Sequence, residues 1–150
     1  MRHHLGLFVA AAASVVGLLL LTGCLSTNPG SSSLAYVNIA SRDAEAIWTE
    51  TLRVFADDNY RFASETAGEL IFEREATRRD RVLLGTYVDK QMVMRVVVSI
   101  EPRSQGGYLL RADAYKVRNG FAEKLPRMMR GHYQNLLNRV KASLVSATRN

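Results

Sequence analysis

The stretch MVMRVVVSIE, residues 92–101, carries the clearest β-strand pattern in the chain. Its even-numbered residues are all apolar, whereas its odd-numbered residues include Arg95, Ser99 and Glu101. Because alternate side chains of a strand point to opposite faces, the even-numbered set is expected to face a core. The stretch therefore predicts one strand of a sheet that is covered on one face.

A partner strand is predicted at residues 108–118, after a turn at residues 102–107 in which Gly106-Gly107 is a hairpin turn. A slip of one residue between the two strands would exchange their faces, so the pattern restricts the register. The register that we predict pairs Arg95 with Asp113 on the face turned away from the helices. It also sets apolar residues opposite apolar residues on the other face.

Further strands are expected on both sides of this pair. They are a short first strand at 34–40, strands at 60–64 and 70–75 joined by a turn at 65–68, and a strand at 81–88 followed by a tight turn at Asp89-Lys90. The segment after Asn119-Gly120 is predicted to be a loop.

Two helices complete the pattern. The first is capped by Ser41, ends near Asp58 and Asn59, and carries apolar residues at three- and four-residue spacing. The second is long and opens at Pro126, and its apolar stripe is Met129, Tyr133, Leu136, Leu137, Val140 and Leu144. The predicted fold is α+β, with an antiparallel sheet of four to five strands packed by an N-terminal helix and a long C-terminal helix.

The N-terminal residues look like a signal peptide. Arg2 precedes seventeen uncharged, mostly apolar residues from Leu5 to Leu21. A membrane span, the alternative, needs about 20 apolar residues, and here a polar segment follows the run at once. Residues 26–33 read STNPGSSS, which is the composition of a flexible tether.

The tetrad Leu21-Thr22-Gly23-Cys24 closes the apolar run and holds the only cysteine of the chain. It resembles the lipobox of bacterial lipoproteins. The resemblance implies cleavage before Cys24, a diacylglyceryl group on its thiol and an acylated amino terminus; two or more acyl chains are what a stable anchor requires. Residues 1–23 would be the signal peptide, 24–33 a lipidated tether and 34–150 a single domain. The alternative is an ordinary buried cysteine.

The lipobox resemblance also bears on location. In enterobacterial lipoproteins an Asp directly after the cysteine keeps the protein at the inner membrane. Leu25 stands at that position here, so the resemblance implies the outer membrane, facing the periplasm.

The predicted order of elements is that of a helix-grip domain, in which an antiparallel sheet wraps a long C-terminal helix. A lipobox followed by such a domain is similar to the helix-grip lipoproteins of the outer-membrane barrel-assembly machinery. That second similarity is in topology only, and that family has two such domains where this chain has one.

The charge balance points to anionic partners. Lys and Arg number 20 against 14 Asp and Glu, and only Arg2 falls in the signal peptide, which leaves 19 against 14. An exported protein does not routinely meet nucleic acid, so anionic lipid or an acidic envelope protein is expected instead. The candidate contacts are Arg78, Arg79 and Arg81, which lie in a basic inter-strand loop predicted at residues 74–81. The alternative is a charged loop that only keeps the protein soluble.

Catalytic and metal sites are not indicated. His132 is the only histidine after the signal peptide, and no Ser-His-Asp set accompanies it. The neighbouring pair Asp57-Asp58 lacks further ligands at loop spacing, and Glu73 and Glu75 are expected to be surface charge. We therefore predict no enzyme, cofactor or metal.

Two functions remain open. The first is a non-enzymatic envelope lipoprotein that binds a protein partner or assists envelope assembly. The alternative is a carrier or sensor of a lipid or other small ligand, held in a cavity between the sheet and the C-terminal helix. Small residues at Ala112, Ala114 and Gly85 could leave such a space.

Overall fold

A computed structural model of the chain describes residues 33–40, 43–66, 68–86 and 91–146. The elements in chain order are β1 (Ala35–Ile39), α1 (Ala44–Asp57), β2 (Arg61–Thr66), β3 (Glu69–Glu75), α2 (Arg78–Leu83), β4 (Val93–Pro102), β5 (Tyr108–Arg118), β6 (Phe121–Lys124) and α3 (Arg130–Ser146). One 3₁₀ turn, Arg127–Met129, precedes α3. The predicted signal peptide and Cys24 lie outside the described residues.

The six strands form one antiparallel sheet. Its order is β1-β5-β4-β3-β2, and β6 pairs with the second half of β5, on the same side as β1. Helices α1 and α3 contact each other and share one core with a single face of the sheet. The predicted fold class, an α+β domain with an N-terminal helix and a long C-terminal helix on an antiparallel sheet, is confirmed.

The core lies between that face and the two helices, where the apolar periodicity of strands and helices meets. Its fully buried side chains include Met94, Val96 and Val98 from β4, Leu110, Ala112 and Ala114 from β5, Phe55 from α1, and Tyr133 and Leu137 from α3. The predicted faces of β4 and the predicted stripe of α3 are therefore both confirmed.

The predicted register between β4 and β5 is wrong by two residues. Arg95 lies opposite Tyr115, and Asp113 lies opposite Val97. A shift of two keeps every side chain on its face. Because Ala112 and Ala114 are both small and apolar, the burial pattern fits either register equally well.

Arg95 and Asp113 consequently have other partners. Arg95 forms an ion pair with Glu73 of β3 at 2.6 Å. Asp113 accepts from Lys124 of β6 at 2.8 Å and from the backbone N–H of Leu34 at 3.0 Å. The carboxylate thus ties the start of β1 to β6, which fixes where the chain enters the sheet.

The predicted strand at 81–88 is also wrong over residues 81–86, and its last two residues lie outside the described ones. Residues 78–83 form α2, followed by a turn at Leu84 and Gly85, while the predicted turn at Asp89-Lys90 lies outside the described residues. The cause is local: the Thr77 hydroxyl accepts from the Asp80 N–H at 3.2 Å, and the Asp80 carboxylate accepts from the Thr77 N–H at 2.8 Å. This reciprocal pair is a capping box, which starts a helix whatever the apolar pattern after it.

The segment after Asn119-Gly120 is a strand, β6, and not the predicted loop. Asn119 and Gly120 both have positive φ angles, 48° and 81°. Positive φ at both central residues is the geometry of a two-residue hairpin turn, for which Asn-Gly is the preferred sequence. All four residues of β6 are exposed, so no alternation marked the strand.

The helix starts differ in detail from the prediction. Asp43 caps α1, and its carboxylate accepts from the Ala46 N–H at 2.6 Å; the predicted cap, Ser41, lies outside the described residues. Pro126 is the capping residue before the 3₁₀ turn instead of the first residue of α3. Asn59, with a φ of 63°, reverses the chain after α1 and leads into β2.

The two ends of the domain are distinct. At one end β3 and β5 finish and β2, β4 and β6 begin. We call this the basic end; it comprises α2, the β5–β6 turn at 118–121 and the start of α3 at 126–132. The opposite end, the turn end, comprises the end of β2, the start of β3 with Gly68 before it, and the β4–β5 turn at 103–107.

Candidate functional site: a cleft at the basic end

An open cleft of about 1130 Å³ lies at the basic end. Its walls come from the end of α1, the start of β2, the end of β3, α2 and the start of α3. The lining residues are Asp58, Asn59, Arg61, Phe62, Ala63, Glu73, Arg74, Glu75, Thr77, Arg79, Asp80, Leu83, Val93, Met128, Met129, Gly131, His132 and Asn135. Its surface is therefore mixed, with apolar side chains beside ionised groups.

A buried ion pair forms one wall of the cleft. Arg74 of β3 binds Asp80 of α2 at 2.7 Å, and both side chains are more than nine-tenths buried. Thr77 adds two hydrogen bonds to the same carboxylate, from its backbone N–H at 2.8 Å and its hydroxyl at 2.7 Å. Although burial opposes ionisation, the bonds from Arg74 and Thr77 hold the pKa of Asp80 below its ordinary value.

The Arg74 guanidinium also reaches into the core. It lies over the ring of Tyr60, 4.9 Å from the centroid, and the Tyr60 hydroxyl donates to that of Tyr133 at 3.4 Å. Burial would lower the pKa of Arg74, but Asp80 and Tyr60 together outweigh it and the pKa is raised, so the charge is permanent. Burial raises the pKa of both tyrosines, which stay neutral. These contacts fasten α2, β3 and α3 to one another.

His132 stands on the opposite wall. Its Nε2 lies 3.2 Å from a carboxylate oxygen of Asp58, and its ring meets the edge of Tyr133 at 5.0 Å. Burial, with the nearby charges of Arg74 and Arg79, lowers the pKa of His132 despite Asp58. The imidazole is then neutral at neutral pH and donates to Asp58. Its polar partner is a carboxylate, which positions the ring; no nucleophilic side chain among the described residues bonds to it.

Exposed apolar side chains stand around the mouth of the cleft. Phe62, Leu83 and Met128 are all exposed and line it from β2, α2 and the turn before α3. Phe62 also meets the edge of Phe72 in the core, with 6.3 Å between centroids. The cleft could therefore accept an apolar group between cationic and anionic neighbours.

The three candidate arginines do not form one loop surface. Arg78 and Arg79 are exposed on α2, and Arg79 lines the cleft. Arg81 is half-buried and donates to the carbonyl of Ala76 at 2.6 Å. The expected inter-strand loop is a helix, so only Arg78 and Arg79 are presented to solvent. Cys24, the lipidation candidate, lies outside the described residues.

The expected space around Ala112, Ala114 and Gly85 is not part of this cleft. Ala112 and Ala114 are fully buried in the core, and none of the three residues lines the cleft. The cleft does lie between the sheet and the C-terminal helix, but at the N-terminal end of that helix and open to solvent. The pattern of the sequence indicated no network among Arg74, Thr77, Asp80 and Tyr60, although the first three fall in the predicted basic loop.

Sequence reasoning could have found part of this arrangement. The spacing Thr77-x-x-Asp80 is a capping-box spacing and indicates a helix start. It places Asp80 one turn into α2, next to the end of β3. The contact of Asp80 with Arg74 depends on the corner between β3 and α2, and no pattern in the sequence specifies that corner.

No protein family model matches the chain, and no curated protein sequence matches it either. Within residues 33–40, 43–66, 68–86 and 91–146 there is no cluster of three or more potential metal ligands. In those same ranges no helix combines the length and the hydrophobicity that a bilayer crossing requires. The function of the chain has therefore to be inferred from its own residues and from the geometry of the cleft.

Proposed function

We propose that this chain is a lipid-anchored protein of the bacterial cell envelope whose domain binds a protein partner without catalysing a reaction. The lipobox supports the anchor, with Cys24 as its first mature residue, and Leu25 supports an outer-membrane location facing the periplasm. Such a protein would hold or assist other components during envelope assembly.

One observation carries the proposal of a protein partner. Strand β2 is the last strand on its side of the sheet, and all six of its residues are exposed. Its outer backbone groups have no strand partner within the described part of the chain. An extended segment of another protein can add to such an edge through main-chain hydrogen bonds, with side-chain pockets supplying specificity. The cleft, with Phe62 at its mouth, is the adjacent pocket.

The partner is tested by crosslinking in the intact envelope. A photo-reactive residue at Phe62 should capture a discrete protein, whereas the same residue at Val145, an exposed apolar position at the turn end, should not. Capture of one species at Phe62 alone supports the proposal. Equal capture at both positions, or none at Phe62, contradicts it.

The anchor is tested separately. Mass spectrometry of the wild-type amino terminus should find acyl chains on Cys24, and the replacement Cys24→Ser should abolish them. A wild-type chain that carries an unmodified thiol on Cys24 would contradict the lipid anchor.

A ligand carrier or sensor is the second candidate, favoured by the volume of the cleft. Ligand sites span roughly 300–1,000 Å³, so a cleft of about 1130 Å³ has room for a small ligand. Because the cleft is open to solvent and has ionised groups in its walls, it suits an amphipathic ligand better than a purely apolar ligand. Extraction of the purified protein followed by mass spectrometry should then recover one bound species, and the variant Met128→Asp should lose it.

A further inference from the structure

The exposed apolar side chains of the domain are unevenly distributed. Six large apolar residues are exposed among the described residues: Phe62, Val82, Leu83, Phe121, Met128 and Val145. The first five lie at the basic end, and only Val145 lies at the turn end. Single exposed apolar residues are ordinary on a protein surface, but a group at one end marks an interaction surface.

Phe121 and Met128 stand out within this group. The two residues are 82% and 71% exposed, the two highest values of the six. Phe121 opens β6 directly after the tight turn at Asn119-Gly120, and Met128 lies in the 3₁₀ turn that precedes α3. Both are thus held on short, hydrogen-bonded turns at the edge of the domain.

Exposed arginines lie at the same end of the domain as these two residues. Arg78 and Arg79 on α2 and Arg127 beside Met128 are exposed, and none of them forms an ion pair with another described residue. Guanidinium groups pair with phosphate through two parallel hydrogen bonds. Exposed apolar groups among unpaired arginines have the composition of a surface that binds anionic headgroups.

The direction of β1 brings the anchor toward the same end. β1 is antiparallel to β5 and starts opposite Ala112, and the Leu34 N–H bonds to Asp113. β5 runs toward the basic end, so the chain enters β1 from that side. Ser33 follows Cys24 by nine residues, which span at most about 32 Å when extended. The five residues from Asp113 to Arg118 cover only about 17 Å of strand, so the anchor reaches the basic end.

We propose that the basic end rests on the bilayer that holds the Cys24 anchor, with Phe121 and Met128 among the headgroups and Arg78, Arg79 and Arg127 against anionic phosphates. This inference rests on the proposed lipid anchor. The domain is then oriented and does not tumble at the end of its tether. The free edge of β2 lies at the side of the sheet opposite β1 and stays open to a partner.

The test uses the lipidated protein in phosphatidylcholine vesicles with and without phosphatidylglycerol. A fluorophore is attached to the cysteine of the variant Phe121→Cys, and the control is the same fluorophore on Val145→Cys. Cys24 is the only native cysteine, and its thiol would carry lipid. Each variant therefore has a single reactive thiol. A quencher in the headgroup region should quench position 121 only in the anionic vesicles, and position 145 in neither. Arg78, Arg79 and Arg127 are then replaced by Ser one at a time. Each replacement should lower about fivefold the ratio of molecules whose basic end touches the membrane to molecules whose basic end is in water.

Contrary results separate the two proposals. If the wild-type chain does not float with vesicles, the lipid anchor itself is wrong. A chain that floats but shows equal quenching at 121 and 145, or quenching without dependence on phosphatidylglycerol, overturns the orientation only. The orientation is likewise wrong if position 121 stays in water on vesicles but crosslinks to a protein in cells, because the surface then belongs to a protein partner.

Discussion

The two ends of the sheet are closed in different ways. At the turn end, connections are tight and depend on the backbone: Gly68, Gly106 and Gly107 adopt positive φ angles of 86°, 86° and 74°. At the basic end, side chains close the structure, through the buried pair Arg74–Asp80 and the tyrosine contacts behind it. Tight turns occur at both ends, since Asn119 and Gly120 at the basic end also have positive φ angles, but the buried ion pair lies at the basic end.

The difference between the ends extends to their surfaces. The turn end exposes one large apolar side chain, Val145, and the basic end exposes five. Because buried charged groups hold this end together, apolar residues such as Phe121 and Met128 are not needed in the core and can remain exposed to solvent. The basic end therefore combines a buried, hydrogen-bonded network with exposed apolar side chains, which is the combination expected of a preorganised binding surface.

The largest effect is expected from breaking the buried ion pair. Asp80→Asn leaves the Arg74 charge buried without its counter-ion, which should destabilise the domain by roughly 3 to 5 kcal/mol. Urea unfolding of the two proteins measures this loss. The matched control is Glu73→Gln, which breaks the more exposed pair with Arg95, where both side chains are about one-third exposed or more.

The control should cost less than about 1 kcal/mol, since exposed pairs are screened by water. Equal losses of unfolding free energy for Asp80→Asn and Glu73→Gln would mean that the buried pair contributes no more to stability than the exposed pair. The basic end would then not be held by charge, and the contrast between the two ends would disappear.

At the turn end the corresponding experiment is Gly107→Ala. Its backbone is in the left-handed region, and an added Cβ would collide with the Ile39 carbonyl oxygen and come within 3.2 Å of Ala40 Cα. We expect a loss of roughly 2 to 3 kcal/mol in unfolding free energy, from both strain and displacement of β1. Gly68→Ala is the control: its φ is also positive, at 86°, but its Cβ would meet nothing within 4 Å.

The control Gly68→Ala should cost only about 1 kcal/mol, the strain of a left-handed alanine. If both alanine variants lose the same amount, the close approach of Gly107 to β1 contributes nothing. Closure of the turn end would then depend on φ alone.

The sequence predicted the parts of this fold that depend on periodicity. The alternation of β4 and the stripe of α3 each identify a buried face, because burial follows from the geometry of one element. The β4–β5 register differed by two residues because a two-residue slip preserves that alternation. β6 was missed since its four residues are exposed and carry no pattern, although Asn119-Gly120 before it is a strong hairpin signal.

The site at the basic end was less predictable for a physical reason. The Arg74–Asp80 contact joins two elements across a corner, and only the folded backbone defines it. Met128 could have been recognised as an exposed residue, because it does not belong to the apolar stripe that begins with Met129 and Tyr133. The exposure of Phe121 has no sequence signal, since an aromatic residue in a short strand is usually taken as core.

The smallest expected effect is the pH dependence that His132 gives to the basic end. Its pKa is held below the ordinary value of 6.5, first by burial and then by Arg74 and Arg79, while Asp58 and Asp80 oppose the shift. Between the folded pKa and 6.5 the unfolded chain binds more protons than the folded one. Stability is therefore unaffected above about pH 6.5 and falls as the pH drops from there toward the folded value.

Urea midpoints measured from about pH 8 down to about pH 5 test this, because His132 is the only histidine after the predicted signal peptide. His132→Gln retains a donor for Asp58 and should flatten the profile. Asp58→Asn removes a charge that favours the imidazolium, so the decline should extend to lower pH. A profile that His132→Gln leaves unchanged would assign the titration to another group and would contradict a role of His132 in the pH dependence.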